Sequence, residues 1–126
     1  MLTVNPTTRC FLYIEPIDGR KGIDGIGAIV RQKLNQNPMD GAWYLFKNRS
    51  GTILKILFYD GSSFWLCLRR LSAGRIQWWP RHQEAEKEAQ NQPMMKLLAA
   101  REITMILWNG NPSTATFGPE WKKIQK

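Results

Sequence analysis

Residues 42–80, with the sequence AWYLFKNRSGTILKILFYDGSSFWLCLRRLSAGRIQWWP, decide the fold. Four runs rich in β-branched, aromatic and aliphatic residues are separated by the short turn sequences NRSG, DGSS and SAG. The runs are Ala42–Lys47, Thr52–Tyr59, Phe64–Leu71 and Arg75–Trp79. Because none of these turns is long enough for a crossover between parallel strands, the stretch predicts an antiparallel β-meander.

The side chains of these strands should alternate between the two faces of the sheet. One set is almost purely apolar and is predicted to cover the core: Tyr44, Phe46, Leu54, Ile56, Phe58, Phe64, Leu66, Leu68, Ile76 and Trp78. The other set mixes cations with large aromatic rings: Trp43, Leu45, Lys47, Ile53, Lys55, Leu57, Tyr59, Trp65, Cys67, Arg69, Arg75, Gln77 and Trp79. We expect this second set to form a basic-aromatic face that points away from the core.

Further elements flank the meander along the chain. Cys10–Ile14 is apolar and β-prone and predicts a strand, and the apolar spacing from Arg20 to about Gln36 predicts a helix. Residues 81–95 are polar and charged and predict a linker. A second helix is predicted from Ala99 or Ala100 to Asn109.

Together these elements predict an α+β fold. It consists of an antiparallel β-meander of about four to five strands packed against an N-terminal helix, with a second short C-terminal helix. A chain of 126 residues has room for one ordinary domain. We place this domain over residues 1–110, including the polar linker, and expect residues 111–126 to form a basic, partly flexible tail.

Composition and charge limit the functional classes. Hydrophobic residues make up 43% of the chain, which is typical of a globular protein. Eighteen Lys and Arg against ten Asp and Glu give a net charge of +8, which favours an anionic partner such as DNA. Cys10 and Cys67 lack the spacing of zinc or redox pairs. With no signal peptide and no apolar run of about eighteen residues, we expect a cytoplasmic protein without membrane contact.

The sequence offers little catalytic machinery. The sole histidine, His82, lies in the polar linker with no nucleophile in a recognisable setting. Asp18 and Asp60 occupy Asp-Gly turns, and Asp24 falls in the first turn of the first predicted helix, where structural roles explain all three. We therefore predict no enzyme activity, no metal site and no cofactor.

Candidate contact residues come from the basic-aromatic face and from the turn before the first helix. The sequence DGRKG at residues 18–22 places two cations at a helix N-terminus, a setting that can hold a phosphate. The full set of candidates is Arg20, Lys21, Trp43, Lys55, Trp65, Arg69, Arg70, Arg75 and Trp79. Rings beside cations suit nucleic acid, but the N-terminal strand, the second helix, a second copy of the chain or a partner protein could equally cover such a face.

Several segments in the first two thirds of the chain share their order and spacing with one protein family. They are DGRKGIDGI at 18–26, LKILFYDG at 54–61, FWL at 64–66, Arg70-Leu71, Gly74-Arg75 and Trp79-Pro80. Over roughly residues 10–80, with a weaker echo at 98–110, the chain resembles the TnpB-type accessory protein of the insertion sequence 66 family. Gly19 stands where this family usually has methionine. The chain does not resemble the RNA-guided nucleases that share the TnpB name.

The resemblance implies a bacterial protein that is encoded beside a larger transposase and needed with it for transposition, and it implies no catalytic residue. We therefore expect a non-catalytic accessory protein that contacts the transposase of its own element, the element DNA, or both, and that could form a homo-oligomer. The alternative is a pure protein-protein adaptor without direct DNA binding. A small metal-dependent nuclease that uses Asp24 or Asp60 is the third hypothesis.

Overall fold

The computed structural model describes residues 8–80 and 94–108, which form five strands and two helices. In chain order the elements are β1 (Cys10–Tyr13), α1 (Ile23–Gln32), β2 (Trp43–Lys47), β3 (Ile53–Tyr59), β4 (Phe64–Arg70), β5 (Met95–Leu98) and α2 (Ala100–Leu107). The α+β class is therefore confirmed. His82, most of the predicted linker and the predicted tail lie outside the described residues.

The five strands form one sheet in the order β4-β3-β2-β1-β5. The antiparallel meander is confirmed for β2, β3 and β4, which pair as consecutive neighbours. The expectation of a purely antiparallel sheet is wrong, because β1 pairs parallel with β2 and α1 provides the crossover between them. The argument from short turns applied only within residues 42–80, whereas the connection from β1 to β2 is long enough for a crossover helix.

The predicted fourth strand of the meander, Arg75–Trp79, is not a strand in the structure. After β4 the chain leaves the sheet ladder: the Ile76 N–H donates to the carbonyl of Gly51 (2.8 Å). The Trp79 indole Nε1 then donates to the carbonyls of Tyr13 (3.2 Å) and Ile14 (3.1 Å) across the sheet. The fifth strand is instead β5, which begins inside the predicted linker and pairs antiparallel with β1.

Both faces of the sheet are covered, so the core has two halves. On one face α1 packs through Ile26 and Val30 against a cluster that includes Tyr44, Phe46 and Leu57. On the other face the α2 residues Ile103 and Ile106 and the segment 76–79 pack against side chains of four strands, namely Cys10, Leu12, Trp43, Leu45, Leu54, Ile56 and Leu98. Burial of each large aliphatic side chain contributes roughly 1.5–3 kcal/mol, so both halves stabilise the sheet.

The predicted division of side chains between the faces is wrong for β3. Tyr44 lies opposite Leu57, and Leu57 lies opposite Leu66, so these three share the α1 face. Leu45, Ile56 and Cys67 are paired in the same way and point toward α2. Even-numbered residues of β2 therefore pair with odd-numbered residues of β3, whereas the prediction placed the even-numbered residues of both strands on one face. A register shift of one residue moves every side chain of a strand to the other face, which explains the error.

Candidate nucleic-acid interface

The loop that precedes α1 lies beside the turn between β2 and β3. The Ile17 N–H donates to the carbonyl of Lys47 (2.9 Å), and Ile17 forms an isolated parallel bridge with Asn48. This position follows from the crossover, because the loop after β1 and the end of β2 meet at the carboxyl edge of a parallel strand pair. In sheets with parallel strands, this edge is where ligands usually bind.

A buried lysine on β3 holds the same loop through hydrogen bonds to its backbone. Lys55 lies on β3 with only 5% of its surface exposed, and its Nζ donates to the carbonyls of Gly19 (2.7 Å) and Lys21 (2.6 Å). A buried amine is tolerated only when hydrogen bonds replace its lost hydration, and these two carbonyls provide such bonds. Lys55 was predicted to lie on an exposed face, and that placement is wrong. Its role in the structure is to hold the loop at residues 18–22.

The turn between β2 and β3 is held by an asparagine side chain. The Asn48 Oδ1 accepts hydrogen bonds from the backbone N–H groups of Thr52 and Ile53, each at 3.0 Å. Gly51 has a φ of 74°, in the left-handed region that favours glycine. These contacts fix the turn that presents the exposed Arg49 next to the loop at residues 18–22.

Cations gather at this end of the sheet. Arg69 and Arg70 lie at the end of β4, paired with Leu54 and Ile53, and Arg75 lies beside Gly51. We call the group the basic end; it consists of Arg20, Lys21, Lys47, Arg49, Arg69, Arg70 and Arg75. Among the described residues, the acidic ones near it are Glu15, Asp18 and Asp24, so the described part of this end carries a net positive charge.

Local contacts show how the charges at this end interact. Burial lowers the pKa of the Lys47 amine, and the nearby Arg49 lowers it further. Asp18 accepts hydrogen bonds from the Arg20 guanidinium through both carboxylate oxygens, at 3.1 and 2.9 Å, which holds the pKa of the Asp18 carboxyl well below its usual range. The Arg20 side chain nevertheless stays 90% exposed. Asp18 therefore orients Arg20 without removing it from the surface.

The loop and the turn enclose an open cleft of about 550 Å³. It is lined by residues 16–19 and 48–50, so Arg49 forms part of its wall and Asp18 part of the opposite wall. The cleft is a surface groove between two turns that are each held by their own hydrogen bonds.

The candidate aromatic residues are divided between the two ends of the sheet. Trp79 lies at the basic end, with its ring centroid 5.7 Å from the Lys47 Nζ. Trp43 and Trp65 lie at the opposite end, where Phe58 stacks between them with centroid distances of 5.2 and 6.2 Å. Trp43 is buried, whereas Trp65 is 51% exposed. The structure therefore groups Arg20, Lys21, Arg69, Arg70, Arg75 and Trp79, and separates them from Trp43 and Trp65.

Sequence reasoning missed two residues of this arrangement. Arg49 was not among the candidates, although the turn sequence NRSG places an arginine at an exposed position beside Lys47. Phe58 was assigned to the same face as Tyr44 and Phe46, but it packs on the α2 face, where it forms the middle of the Trp stack. The wrong placement of Phe58 has the same cause as that of the other β3 residues, because the side chains of the whole strand were assigned to the wrong faces of the sheet.

The candidate carboxylates do not converge on a common point. Asp18 lies at the basic end, whereas the Asp60 carboxylate lies in the turn after β3, where it accepts hydrogen bonds from the N–H groups of Ser62 and Ser63 and from the Trp65 indole. Within residues 8–80 and 94–108, no group of three or more His, Cys, Asp or Glu side chains is placed to hold a metal ion. Neither helix of this part of the chain has the length and apolar character needed to cross a bilayer.

Comparisons with known proteins find a family whose model covers the strands and helices described above. The family model of the IS66 Orf2 like protein matches residues 8–108. The chain is 33% identical to the uncharacterized protein y4hO of Sinorhizobium fredii (strain NBRC 101917 / NGR234) over 78 residues, which cover 62% of this chain and 68% of that protein. It is 28% identical to the uncharacterized protein y4jC of the same strain over 68 residues, which cover 54% of this chain and 58% of that protein. No solved structure matches.

The family match extends from two residues before β1 to the end of α2, so it includes the loop at residues 18–22, the buried Lys55 and the basic end. Because it covers well over half of the chain, the resemblance seen in the sequence is confirmed. This chain belongs to the IS66 Orf2-like family of insertion-sequence proteins.

Proposed function

We propose that this protein is a non-catalytic accessory factor of transposition that binds the DNA backbone of its element through the basic end. The observation that carries the proposal is the collection of seven cations at one end of the sheet, where the loop that carries Arg20 and Lys21 and the turn that carries Arg49 are held by internal hydrogen bonds. Family membership associates the chain with an insertion sequence, and the DNA of that element is a polyanion whose charge is complementary to that of the basic end.

Two features make phosphate the expected target at this end. Arg20, Lys21 and Arg49 are exposed, and phosphate contacts by Lys and Arg supply most of the sequence-independent affinity for DNA. In addition, α1 begins at the same loop, and its Gly22 cap provides no side-chain hydrogen bond to the first turn. The backbone amides and the dipole of such a helix end favour an anion.

The chemistry of the basic end predicts contacts with phosphates and not with base edges. The aromatic rings that could stack on bases, Trp43 and Trp65, lie at the other end of the sheet, and Trp43 is buried. Contacts to phosphates position a protein on a duplex without reading its sequence. We therefore propose that selection of the element ends comes from the transposase, with which this protein acts in the bacterial cytoplasm.

The test is a salt-titrated binding assay with an element-end duplex and an unrelated duplex of equal length. We expect similar affinity for both, falling linearly in log-log form with salt, with a slope of about −0.9 for each phosphate contact. Replacement of Arg20, Lys21 and Arg49 by Gln should make the slope shallower, by an amount that corresponds to the loss of up to about three phosphate contacts. Arg9→Gln is the matched control for each of the three substitutions made singly, because it also removes one cation but lies at the other end of the sheet, next to Asp40. Affinity that does not depend on salt would reject the proposal.

The competing function is a protein-protein adaptor that does not touch DNA. It is favoured by large apolar side chains that remain exposed in the described part of the chain, among them Leu97 on β5 and Trp108 at the end of α2. Exposed apolar groups of this kind are frequent in interfaces. Capture of the transposase by the Gln variant of Arg20, Lys21 and Arg49 after nuclease treatment, together with no DNA binding by the wild type, would support the adaptor.

A further inference from the structure

The outer strand of the sheet, β4, has an open edge in the described part of the chain. β4 is the last strand of the order β4-β3-β2-β1-β5 and pairs only with β3 among the described strands. The segment that follows it does not return along this edge: it passes Gly51 and crosses the α2 face to reach Tyr13 and Ile14 on the β1 side. The described chain therefore leaves the outer side of β4 accessible.

The pairing with β3 shows which backbone groups point to the open edge. The Leu71 N–H donates to the carbonyl of Thr52, and the Asp60 N–H donates to the carbonyl of Ser63, so odd-numbered residues of β4 direct their backbone groups toward β3. Because the direction alternates along a strand, Phe64, Leu66, Leu68 and Arg70 turn their N–H and C=O groups outward. The strand contains no proline, and such an unprotected edge is a template for another strand.

We propose that β4 pairs antiparallel with β4 of a second copy of this chain, around a two-fold axis at Cys67. Outward-facing residues must then pair with outward-facing residues, Leu66 with Leu68 and Phe64 with Arg70 of the other copy. This register overlaps all seven residues of the strand and gives about eight hydrogen bonds from four pairs. With the two-fold axis at Leu66 or Leu68, outward-facing residues would still pair with outward-facing residues. Fewer residues of the two strands would then be paired.

The side chains of β4 are complementary to themselves in this register. Trp65 of one copy lies opposite Arg69 of the other, and the ring face of Trp65 that does not stack on Phe58 is available to the guanidinium. Phe64 and Arg70 form a second pair of ring and cation on the α1 face. Arg69 keeps donors for this contact, since its hydrogen bond to the Ile106 carbonyl uses one nitrogen at 3.3 Å.

Charge and exposure favour a second copy as the occupant of this edge. The arginines lie at one end of β4 and the aromatic residues at the other, so antiparallel pairing brings each arginine to a ring and keeps the arginines of the two copies apart. Trp65 and Leu68 are 51% and 53% exposed, and the pairing would cover both. A foreign strand would need a matching pattern of its own, whereas β4 already supplies it.

The two-fold axis makes Cys67 the reporter of this interface. In the proposed register the two Cys67 residues form a non-hydrogen-bonded pair with a Cα–Cα distance of about 4.5 Å, which lies within the range of a disulfide. Cys67 is partly exposed, and Cys10 is fully buried. Joining the two thiols removes two electrons and two protons, so an oxidant such as copper-phenanthroline is added; because burial raises the pKa of both thiols, the reaction is run at mildly alkaline pH.

The experiment combines oxidation with measurement of the mass in solution. We expect a dimer by analytical ultracentrifugation, and a disulfide-linked dimer from the wild type and from Cys10→Ser but not from Cys67→Ser. Leu68→Pro removes an outward N–H without breaking the ladder to β3, and should raise the dimer dissociation constant about tenfold or more. Leu68→Ala is the matched control, because it loses the same side chain but keeps the N–H.

Two results would overturn the β4 dimer directly: a monomeric wild type, or a dimer whose Cys67 thiols do not cross-link. A dimer that is equally stable in Leu68→Pro and Leu68→Ala would also overturn it, because the copies would then meet elsewhere. Circular dichroism of each variant establishes that it is folded before its mass is interpreted.

Discussion

The Nζ atom of Lys55 lies 2.7 Å from the carbonyl oxygen of Gly19 and donates a hydrogen bond to it. One partner lies on the buried strand β3 and the other on the surface loop that carries Arg20 and Lys21, so the bond joins the core to the proposed DNA contact. The second bond from the same amine, to the Lys21 carbonyl, completes the anchor. Stability of the core and presentation of the loop are therefore coupled through one side chain.

Lys55→Met should lower the free energy of unfolding by about 1–3 kcal/mol, because two carbonyls lose a buried donor while the aliphatic stem is retained. The measurement is urea denaturation followed by tryptophan fluorescence. Lys33→Met, at an exposed position just after α1, is the control and should change stability by less than about 0.5 kcal/mol. Equal stability of the two variants would show that the anchor contributes nothing.

Two glycines at the basic end should respond in opposite directions to alanine. Gly51→Ala should destabilise the protein by about 1–2 kcal/mol, because the φ of 74° forces a Cβ into the left-handed region. Gly19→Ala should stabilise it by about 0.4–1 kcal/mol, since its Cβ would meet Asn48 and Ile53 at ordinary contact distances of 3.5 and 3.6 Å. Thermal unfolding of both variants tests this; a loss of stability in Gly19→Ala would contradict it.

Asp60 should make stability depend on acidic pH. The Trp65 indole N–H, followed by the backbone N–H groups of Ser62 and Ser63, holds the pKa of the Asp60 carboxyl well below its usual value. A carboxyl whose pKa is lower in the folded state adds stability that is present above its unfolded pKa of about 3.9 and is lost as the pH falls below it. Asp60→Asn should therefore show a flatter decline of stability than the wild type below about pH 4.

Trp65→Phe tests the hydrogen bond from the Trp65 indole to Asp60 through the pKa of the Asp60 carboxyl itself. The substitution removes the largest cause of the shift, so the Asp60 resonance should titrate at a higher pH in this variant than in the wild type when it is followed by NMR. Wild-type Asp60 that titrates near the ordinary aspartate value would contradict the assignment. So would identical titration curves in the two proteins.

The strands of the meander could be predicted from sequence because their turns are short and local. Asn48, Gly51 and Asp60 each fix a turn through contacts within a few residues, and such contacts are visible in the sequence. The parallel pairing of β1 with β2 could not be predicted in the same way, because nothing within either strand specifies its neighbour. The near-continuous apolar runs of β2 and β3, which indicate burial on both faces, were the available sign of a covered sheet.

The candidate site was predicted in composition but not in arrangement. The cations of the DGRKG loop and of the end of β4 lie at the same end of the sheet. The meander places the end of β4, whereas the parallel pairing of β1 with β2 places the loop, and that pairing was not predicted. Lys55 was misplaced because the register of the β2-β3 hairpin, not the alternation within β3, decides which face it occupies. The separation of Trp43 and Trp65 from the cations likewise depends on where each residue stands along its strand.

Asp18 and Asp60 offer a matched pair of charge changes for the proposed DNA contact. Asp18 pairs with Arg20 at the basic end, whereas Asp60 lies beyond the far end of β3, about 20 Å away at the rise of a seven-residue strand. At about 0.1 M salt, Asp18→Asn should raise the affinity for duplex DNA several-fold, because it removes a negative charge that competes with phosphate for the guanidinium. Asp60→Asn changes the net charge by the same amount and should leave affinity almost unchanged at this salt concentration, since the intervening distance is about twice the screening length of about 10 Å.

The pair of variants separates a located contact from a general effect of net charge. Both variants carry one negative charge fewer, so binding that depends only on overall charge would strengthen equally in the two. Binding through the basic end would strengthen in Asp18→Asn alone, and the difference would shrink as salt screens the interaction. Fluorescence anisotropy with one labelled duplex measures both variants at each salt concentration, and an equal gain in affinity would remove the basic end as the site of contact.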